Sequence, residues 1–559
     1  MRHAMSLVAQ LSTLRGRFLW RSFQSMAERP EEVQQDLLRR ILDSNRDTAF
    51  GMAHGFSSMV SWQDYRERVP VDDYEATLPW VERLQAGEPR VLTAEQPYMF
   101  TLTSGTTGQP KLIPATGFTR RCSARLSAQW LYRSLVDHPG VLDDKALVIV
   151  SPAIEGHTPA GTAYGSASGQ IYQNASRAVR YRYAVPYDVF AIKEFDAKYY
   201  AIMRFAIAKK VSLVATANPS TILRLVSTAN THRDQLVRDV RDGSLAQDVD
   251  IPVEIRRSLE PHLKPDRERA RELEHFSSGE NFTPQQYWPG LALVGCWKGG
   301  SVGAALDRLR PWFRGDMPFR DIGYLSSEAQ ASLPISDEGS AGILALETNF
   351  YEFIPEAEMD SASPRPLTVG QLEPGETYYI VITSPAGLYR YDINDLVRVT
   401  GFFRKTPLIE FVRKGRDVVS ITGEKLHVGQ LIQAVEKAQL SVGLKVAYYR
   451  AVGNVEASRY DLQLELTQEQ VPDQLVVTLG RAIDDELAKQ NIEYEQKRRS
   501  SRLHPPHVHV MRSGWSSRRL QAKMAQTTKD TQFKDTLLGL PDEDDLPSDV
   551  SDIMKDLST

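Results

Sequence analysis

The chain predicts an α/β fold in two parts, and three observations carry that reading. Between residues 146 and 296, short apolar runs alternate with helical stretches, the pattern of a largely parallel sheet covered by helices. Residues 342–412 change to strands separated by Pro/Gly turns such as Glu373-Pro374-Gly375-Glu376, which predicts a small antiparallel sheet or barrel. At 559 residues the chain is also too long for one ordinary domain. The expected organisation is a large N-terminal α/β domain over 1–412 with 342–412 as its β-rich part, a hinge over 413–425, a smaller α+β cap over 426–537, and an acidic tail over 538–559.

In order, Leu7, Leu11, Leu14 and Phe18 recur at helical spacing and predict an opening helix docked on the core through that face. Pro30-Glu31-Glu32 starts a second amphipathic helix through Leu37, Leu38, Ile41 and Leu42. Residues 118–137 read as a long helix. Apolar runs at 146–150, 211–217 and 291–296 read as strands, with a helix over 192–209. A glycine-rich loop over 156–169 matches no dinucleotide fingerprint; it reads as a solvent loop or as a border of the organic substrate. In the cap, 426–438 and 472–489 read as helices and 444–452, 460–466 and 507–511 as strands. The segment 542–556 is acidic with little apolar content and reads as a solvated, mobile tail.

Composition excludes several classes. A hydrophobic fraction of 42% with 25% charged residues is that of a soluble globular protein. The net charge of −4 gives no general attraction to nucleic acid or anionic membranes. Cys122 and Cys296 cannot build a disulfide framework and point to a reducing interior. No apolar run approaches a membrane span. A cytoplasmic protein with small-molecule partners is the expectation, with oligomeric state open and a monomer as default.

The chemistry centres on Thr103-Ser104-Gly105-Thr106-Thr107-Gly108-Gln109-Pro110-Lys111. Glycines let backbone N–H groups approach an anion, hydroxyls add donors and a lysine adds charge, which together make a phosphate cradle. It is not a nucleotide-hydrolase P-loop, because no Gly-Lys-Ser/Thr closes it. Gly323-Tyr324-Leu325-Ser326-Ser327-Glu328 ends in a carboxylate suited to Mg²⁺, and its structural alternative is a serine-capped helix start. In Ala386-Gly387-Leu388-Tyr389-Arg390-Tyr391-Asp392-Ile393-Asn394-Asp395, either Asp392 or Asp395 suits a ribose diol, and Asn394-Asp395 also suits a hairpin turn. Lys425, after Thr422-Gly423-Glu424, and Lys523, after Arg518-Arg519-Leu520-Gln521-Ala522, are candidate mobile cations for charge building on an α-phosphate. His504, His507 and His509 surround Pro505-Pro506 without a nearby cysteine and read as a polar strand edge rather than a zinc site.

Together these stretches resemble the auxin-responsive acyl-acid amido synthetase family, within the superfamily of acyl-CoA ligases, luciferases and peptide-synthetase adenylation domains. The likeness runs from Val69-Pro70-Val71-Asp72-Asp73-Tyr74 through the cradle and Tyr324-Leu325-Ser326-Ser327-Glu328 to Phe350-Tyr351-Glu352-Phe353-Ile354-Pro355. It continues in Gly387-Leu388-Tyr389-Arg390-Tyr391 with Asp395 and in Phe411-Val412-Arg413-Lys414. The resemblance implies an adenylate-forming fold with a mobile C-terminal domain, and ATP with Mg²⁺. It also implies activation of a carboxylic acid as acyl-AMP, followed by conjugation to an amino acid. It implies phosphate contacts at Thr103, Ser104, Gly105, Thr106 and Thr107, a nucleotide border at Gly323, Tyr324, Leu325, Ser326 and Ser327, and Mg²⁺ at Glu328. Asp395 would take the ribose, Phe350 would face adenine, and Lys425 and Lys523 match the family's mobile cations. Family members often carry Arg-Val-Gly-Asp where this chain has Asp392-Ile393-Asn394-Asp395. Two alternatives remain: an enzyme with coenzyme A as acceptor, and a noncatalytic nucleotide-binding regulator.

Overall fold

The computed structural model describes residues 7–103, 111–299, 303–359, 361, 364–415, 417–468, 471–516, 518–519, 537–541 and 550–556, with backbone alone at 7–11, 103, 303–304 and 550–556. The chain divides into two compact units, the first ending at Arg413 and the second beginning at Lys414.

Three sheets build the first unit. Strands β1 (Met99–Thr103) and β2 (Lys111–Ala115) form an antiparallel hairpin. A parallel sheet runs β3 (Lys145–Val148), β6 (Val211–Ala215), β7 (Leu293–Gly295), β8 (Phe319–Arg320). Short strands β4 (Gly156–His157) and β5 (Ala163–Gly165) extend the first hairpin, with β5 parallel to β1. The glycine-rich loop is therefore stitched to the cradle's own hairpin. A Cβ at Gly165 would meet the Ala153 carbonyl oxygen at 2.5 Å, so only glycine fits there. In the helix Phe195–Ile207 residues 199–207 are all buried, and all but Arg204, which donates to the Asp239 and Ser244 carbonyls, belong to the largest core.

The third sheet is antiparallel and six-stranded: β11 (Phe350–Pro355), β12 (Thr377–Thr383), β13 (Tyr391–Phe403), β14 (Thr406–Lys414), β10 (Gly342–Leu344), β9 (Ser332–Leu333), in that order. Among the described residues it is an open sheet rather than the small barrel that was one expectation. Its outer strand β9 has two residues, too few to carry a closing ladder.

The helix Leu7–Met26 forms, but its docked face differs from the expected one. Leu14 and Phe18 are 69% and 74% exposed, whereas Gly16, Trp20, Phe23 and Ala27 are buried. A Cβ on Gly16 would meet Tyr132 Cβ at 2.4 Å. The missing side chain is what lets this helix approach the helix Gly117–Asp137, and a count of large apolar residues cannot register it.

One buried ion pair organises the sheet's first three strands. Arg390 donates through Nε and Nη2 to both carboxylate oxygens of Glu352, at 2.8 and 3.0 Å, and both side chains are almost wholly excluded from solvent. Arg390 Nη1 donates to the carbonyls of Val69 and Arg66, and Trp62 Nε1 donates to Glu352. Arg390 N donates to Thr383 Oγ1, which also bonds the Tyr65 hydroxyl.

In the second unit, β15 (Val418–Val419) pairs with β16 (Leu426–His427). Residues 413–425, read as a hinge, thus contain half of a paired hairpin. Its turn is fixed by buried Glu424, which accepts from Ile421 N, Thr422 N, Thr422 Oγ1 and the Tyr460 hydroxyl. A five-stranded sheet follows: β20 (Leu538–Gly539), β17 (Val446–Asn454), β18 (Arg459–Leu466), β19 (His507–Met511), β21 (Val550–Asp556), in that order. The helices Val428–Val442 and Asp473–Gln490 contribute to its core. The tail expectation is corrected here, because β20 and β21 lie within 538–559 and pair with β17 and β19. Adding a strand to a sheet edge needs only backbone N–H and C=O groups, so low apolar content did not exclude it.

Replacing Glu352 with Ala leaves a buried guanidinium uncompensated and should cost about 3–5 kcal/mol. Urea unfolding should show a lower midpoint, and an unchanged midpoint would contradict the role given to the pair.

Candidate active site

The carboxyl end of β8 carries the centre of the site, where ligands bind in open α/β sheets. Asp321 follows the strand directly and accepts from Gly323 N and Lys298 N, both at 2.7 Å. Burial pushes its carboxyl up to about 6, and these backbone donors oppose the shift. Trp130 of the helix Gly117–Asp137 donates to the Asp321 carbonyl, and Trp297 donates to that of Gly323. Gly323 has φ +96°, and a Cβ there would meet the Ser332 carbonyl oxygen at 2.4 Å.

Gly323 turns the chain into a tight hairpin rather than the alternative serine-capped helix. Leu325 bridges Gln330, and Ala331 N donates to the Tyr324 carbonyl. At the tip, Ser326 Oγ accepts from Ala329 N while Ser326 N donates to the Ala329 carbonyl. Backbone groups of Ser326 that a helix would use are committed across the turn. Ser327 and Glu328 occupy the tip, half-buried.

Tyr324 reaches from this hairpin to β13 and donates its hydroxyl to Asp395 Oδ2 at 2.6 Å. Burial first, and then the Asp395 charge, push the Tyr324 hydroxyl well above its ordinary value, so it stays a donor. Its ring stacks on Phe411, 6.0 Å between centroids.

Asp395 owes its position to a bulge, not to a hairpin turn. The β12–β13 register steps from Tyr379↔Leu396 to Val381↔Asp392, so residues 393–395 stand opposite the single residue 380. Asn394 takes φ +57° inside the bulge, and its N–H donates to Asp392 Oδ1 at 2.7 Å. Asparagine is among the few side chains that tolerate this left-handed conformation, which explains how it stands where the resemblance has glycine. Asp395 is 2% exposed, and Asp392 is half-buried.

The cradle is flanked by the same cluster. Thr103 pairs with Lys111 across the β1–β2 hairpin; Ser104, Gly105, Thr106 and Thr107 lie outside the described residues. Leu112 N donates to the Tyr74 hydroxyl, and Lys111 Nζ lies 5.2 Å from the Tyr74 ring centre. Tyr74, Ile113, Tyr324, Ala329, Tyr391 and Ile393 belong to one buried cluster. Burial, and then the Glu328 carboxylate, push the Tyr391 hydroxyl well above its ordinary value. The structure therefore brings together the cradle's flanks, the 323–330 hairpin with Glu328, and the bulge carrying Asp395.

Phe350 is not among them. It is 2% exposed and packs with Leu38, Phe50 and Tyr65 in a different cluster, while its neighbour Tyr351 packs with Tyr324. Alternation along β11 sends the two rings to opposite faces. Lys425 belongs to the second unit, at φ +47°, with its Nζ 3.7 Å from Glu493 and its carbonyl accepting from Asn491. Such backbone geometry for a lysine costs of order 1–2 kcal/mol and marks a position that the surrounding structure holds in place. Lys523 lies outside the described residues. Asp321, Tyr74 and Trp297 were not singled out from sequence as site residues; a carboxylate two residues before a glycine, at a strand end, was the available signal for Asp321.

Residues 19–318, 342–414 and 429–538 match, in turn, the GH3 family N-terminal, central and C-terminal domains. A jasmonoyl--L-amino acid synthetase, JAR4 of Nicotiana attenuata, is 25% identical over 435 residues, 74% of each chain. The indole-3-acetic acid-amido synthetase GH3.8 of Oryza sativa subsp. indica is 25% identical over 547 residues, 92% of this chain and 89% of that one. The structure of the GH3.15 acyl acid amido synthetase is similar at a TM-score of 0.64 and 19% identity, covering 95% of both chains. That likeness establishes the fold as a mixed α/β architecture with a large N-terminal and a smaller C-terminal domain. With the three domain models matched in order over most of its length, the chain belongs to the GH3 family.

Proposed function

We propose that this chain is an ATP-dependent acyl-acid amido synthetase, a ligase that activates a carboxylic acid as its acyl-adenylate and conjugates it to an amino acid. The observation that carries the reading is the 2.6 Å bond from Tyr324 to Asp395, which joins two motifs 71 residues apart beside the flanks of the cradle. A carboxylate resists attack by an amine; as the acyl-adenylate it has a good leaving group, and aminolysis then forms the amide.

Each residue has a role in that scheme. Thr103, Ser104, Gly105, Thr106 and Thr107 hold phosphate oxygens through hydroxyl and backbone N–H groups. Asp395, aimed by Tyr324, accepts from the ribose hydroxyls. The backbone from Gly323 to Ser327 borders the nucleotide, with Tyr324 and Leu325 walling the base and sugar. Phe350, which the resemblance makes the adenine-facing aromatic, packs with Leu38, Phe50 and Tyr65, in a different cluster from Tyr324. Glu328 is a half-exposed oxygen donor of the kind Mg²⁺ prefers, and it would hold the ion that neutralises triphosphate charge. Lys425 and Lys523 would supply positive charge to the α-phosphate as charge builds there.

Pyrophosphate release should be measured across aryl and alkyl acids, including jasmonate and indole-3-acetate, with and without amino acids or coenzyme A. We expect acid-dependent release and an amide product detected by mass. A thioester product would instead make the chain a coenzyme A ligase, and ATP binding without turnover in any mixture would make it a regulator. Asp395→Ala and Glu328→Ala should each slow the adenylation step about 10- to 100-fold without unfolding the chain. Wild-type turnover in both would refute the site.

The bulge makes a separate forecast. Asn394→Gly should keep adenylation near wild type, because glycine accepts φ +57° freely. Asn394→Val should cost about 1–2 kcal/mol of stability and lower activity by displacing Asp395. Equal behaviour of the two variants in thermal unfolding and turnover would show that the backbone here is not what positions the carboxylate.

A further inference from the structure

On one face of the second unit's five-stranded sheet, three donor side chains converge. His507 and His509 are two residues apart on β19 and so point the same way, and Asp461 of β18 stands in register with His507. One ligand atom from each lies within 4.8 Å of the other two. His509 Nε2 is 3.7 Å from Asp461 Oδ1, and the two imidazole centres are 5.0 Å apart. His507 is 7% exposed, and the His509 and Asp461 side chains are 16% and 18% exposed.

These distances suit a shared ion better than a mutual hydrogen bond. A first-row dication with bonds of about 2.0–2.2 Å holds tetrahedral ligands about 3.4 Å apart. The His509–Asp461 separation is already near that edge, yet it is too long for a hydrogen bond. Small side-chain rotations close the remaining separations, because the strands carrying all three residues are fixed by their ladder and by Val508, Leu462 and Leu464 in the core behind them.

Asp461 is also held in place by its own neighbours. Asn454 Nδ2 donates to Oδ2 and Arg459 Nε donates to Oδ1, both at 2.9 Å. A carboxylate has about four lone-pair sites, so these two bonds aim it and leave room for an ion. The Arg459 charge sets the affinity below that of a bare cluster. Pro505-Pro506 and the absence of a nearby cysteine argued for a polar strand edge in the sequence; the third donor lies on the neighbouring strand, 46 residues before His507.

We propose that Asp461, His507 and His509 bind one first-row transition dication of the zinc class, with water in the fourth position, clasping β18 to β19. Two imidazole nitrogens select such an ion over Mg²⁺, so this site is distinct from any role of Glu328 and independent of the ligase chemistry. The full chain, freed of metal by a chelator and dialysed, should be titrated with Zn²⁺ by calorimetry and with Co²⁺ by visible absorption. One ion per chain with micromolar or tighter affinity, and intense tetrahedral Co²⁺ bands, are expected. His509→Gln and Asp461→Asn should weaken binding by at least roughly 10- to 100-fold. His504→Gln should bind as wild type, since His504 lies outside the cluster. No binding by the wild-type chain, a weak octahedral Co²⁺ spectrum, or unchanged affinity in His509→Gln would overturn the proposal. The wild-type spectrum decides the matter even if a variant does not fold.

Discussion

The buried pair of Arg390 and Glu352 is the constraint from which the site follows. Two charges taken out of water are tolerated only when both are fully hydrogen-bonded, and here Trp62, two main-chain carbonyls and both carboxylate oxygens meet that demand. The guanidinium therefore has one position available to it. Since Arg390 immediately precedes β13, that position fixes where the strand begins, and the bulge that carries Asp395 starts two residues later. Even the left-handed backbone of Arg390, at φ +44°, is retained for this geometry.

On the other side, the parallel sheet delivers its contribution through one short strand. Asp321 gathers the backbone at the ends of β7 and β8, Gly323 turns the chain back, and Tyr324 is left aimed at Asp395. The segment that follows the parallel sheet thus meets the antiparallel one through the phenol–carboxylate bond to β13 and through Tyr324 N, which donates to Ser332 Oγ of β9 at 2.9 Å. An enzyme that activates an acid needs such a frame built before its substrates arrive, because electrostatic stabilisation works best when the donors and charges do not have to reorganise.

Much of this was legible in the sequence, and the parts that were not share a cause. The helix Gly117–Asp137 and the strand His507–Met511 followed from local periodicity, and the alternation of β3, β6 and β7 with helices followed from apolar runs. The cradle, the Tyr324 to Glu328 run and Asp395 stood out because their chemistry is compressed into a few positions. What stayed hidden depends on partners far away in the chain. Gly16 marks a helix crossing only once Tyr132 is known to face it, and β21 is a strand only because β19 offers an edge. Glu352 becomes a charge partner only when β11 and β13 are laid on either side of β12. The same holds for the surroundings of Phe350, where the parity of β11 places it in a different cluster from its neighbour Tyr351.

The central claim is that the hairpin after β8 and the bulge in β13 receive one adenylate between them. A crystal structure of the chain with a stable acyl-sulfamoyl adenosine tests it most directly. The account predicts the ribose hydroxyls within about 2.6–3.2 Å of the Asp395 carboxylate, with Tyr324 still bonded to it and the sulfamoyl group beside the Thr103 to Lys111 turn. Adenosine bound elsewhere, with Asp395 still covered by protein alone, would contradict it.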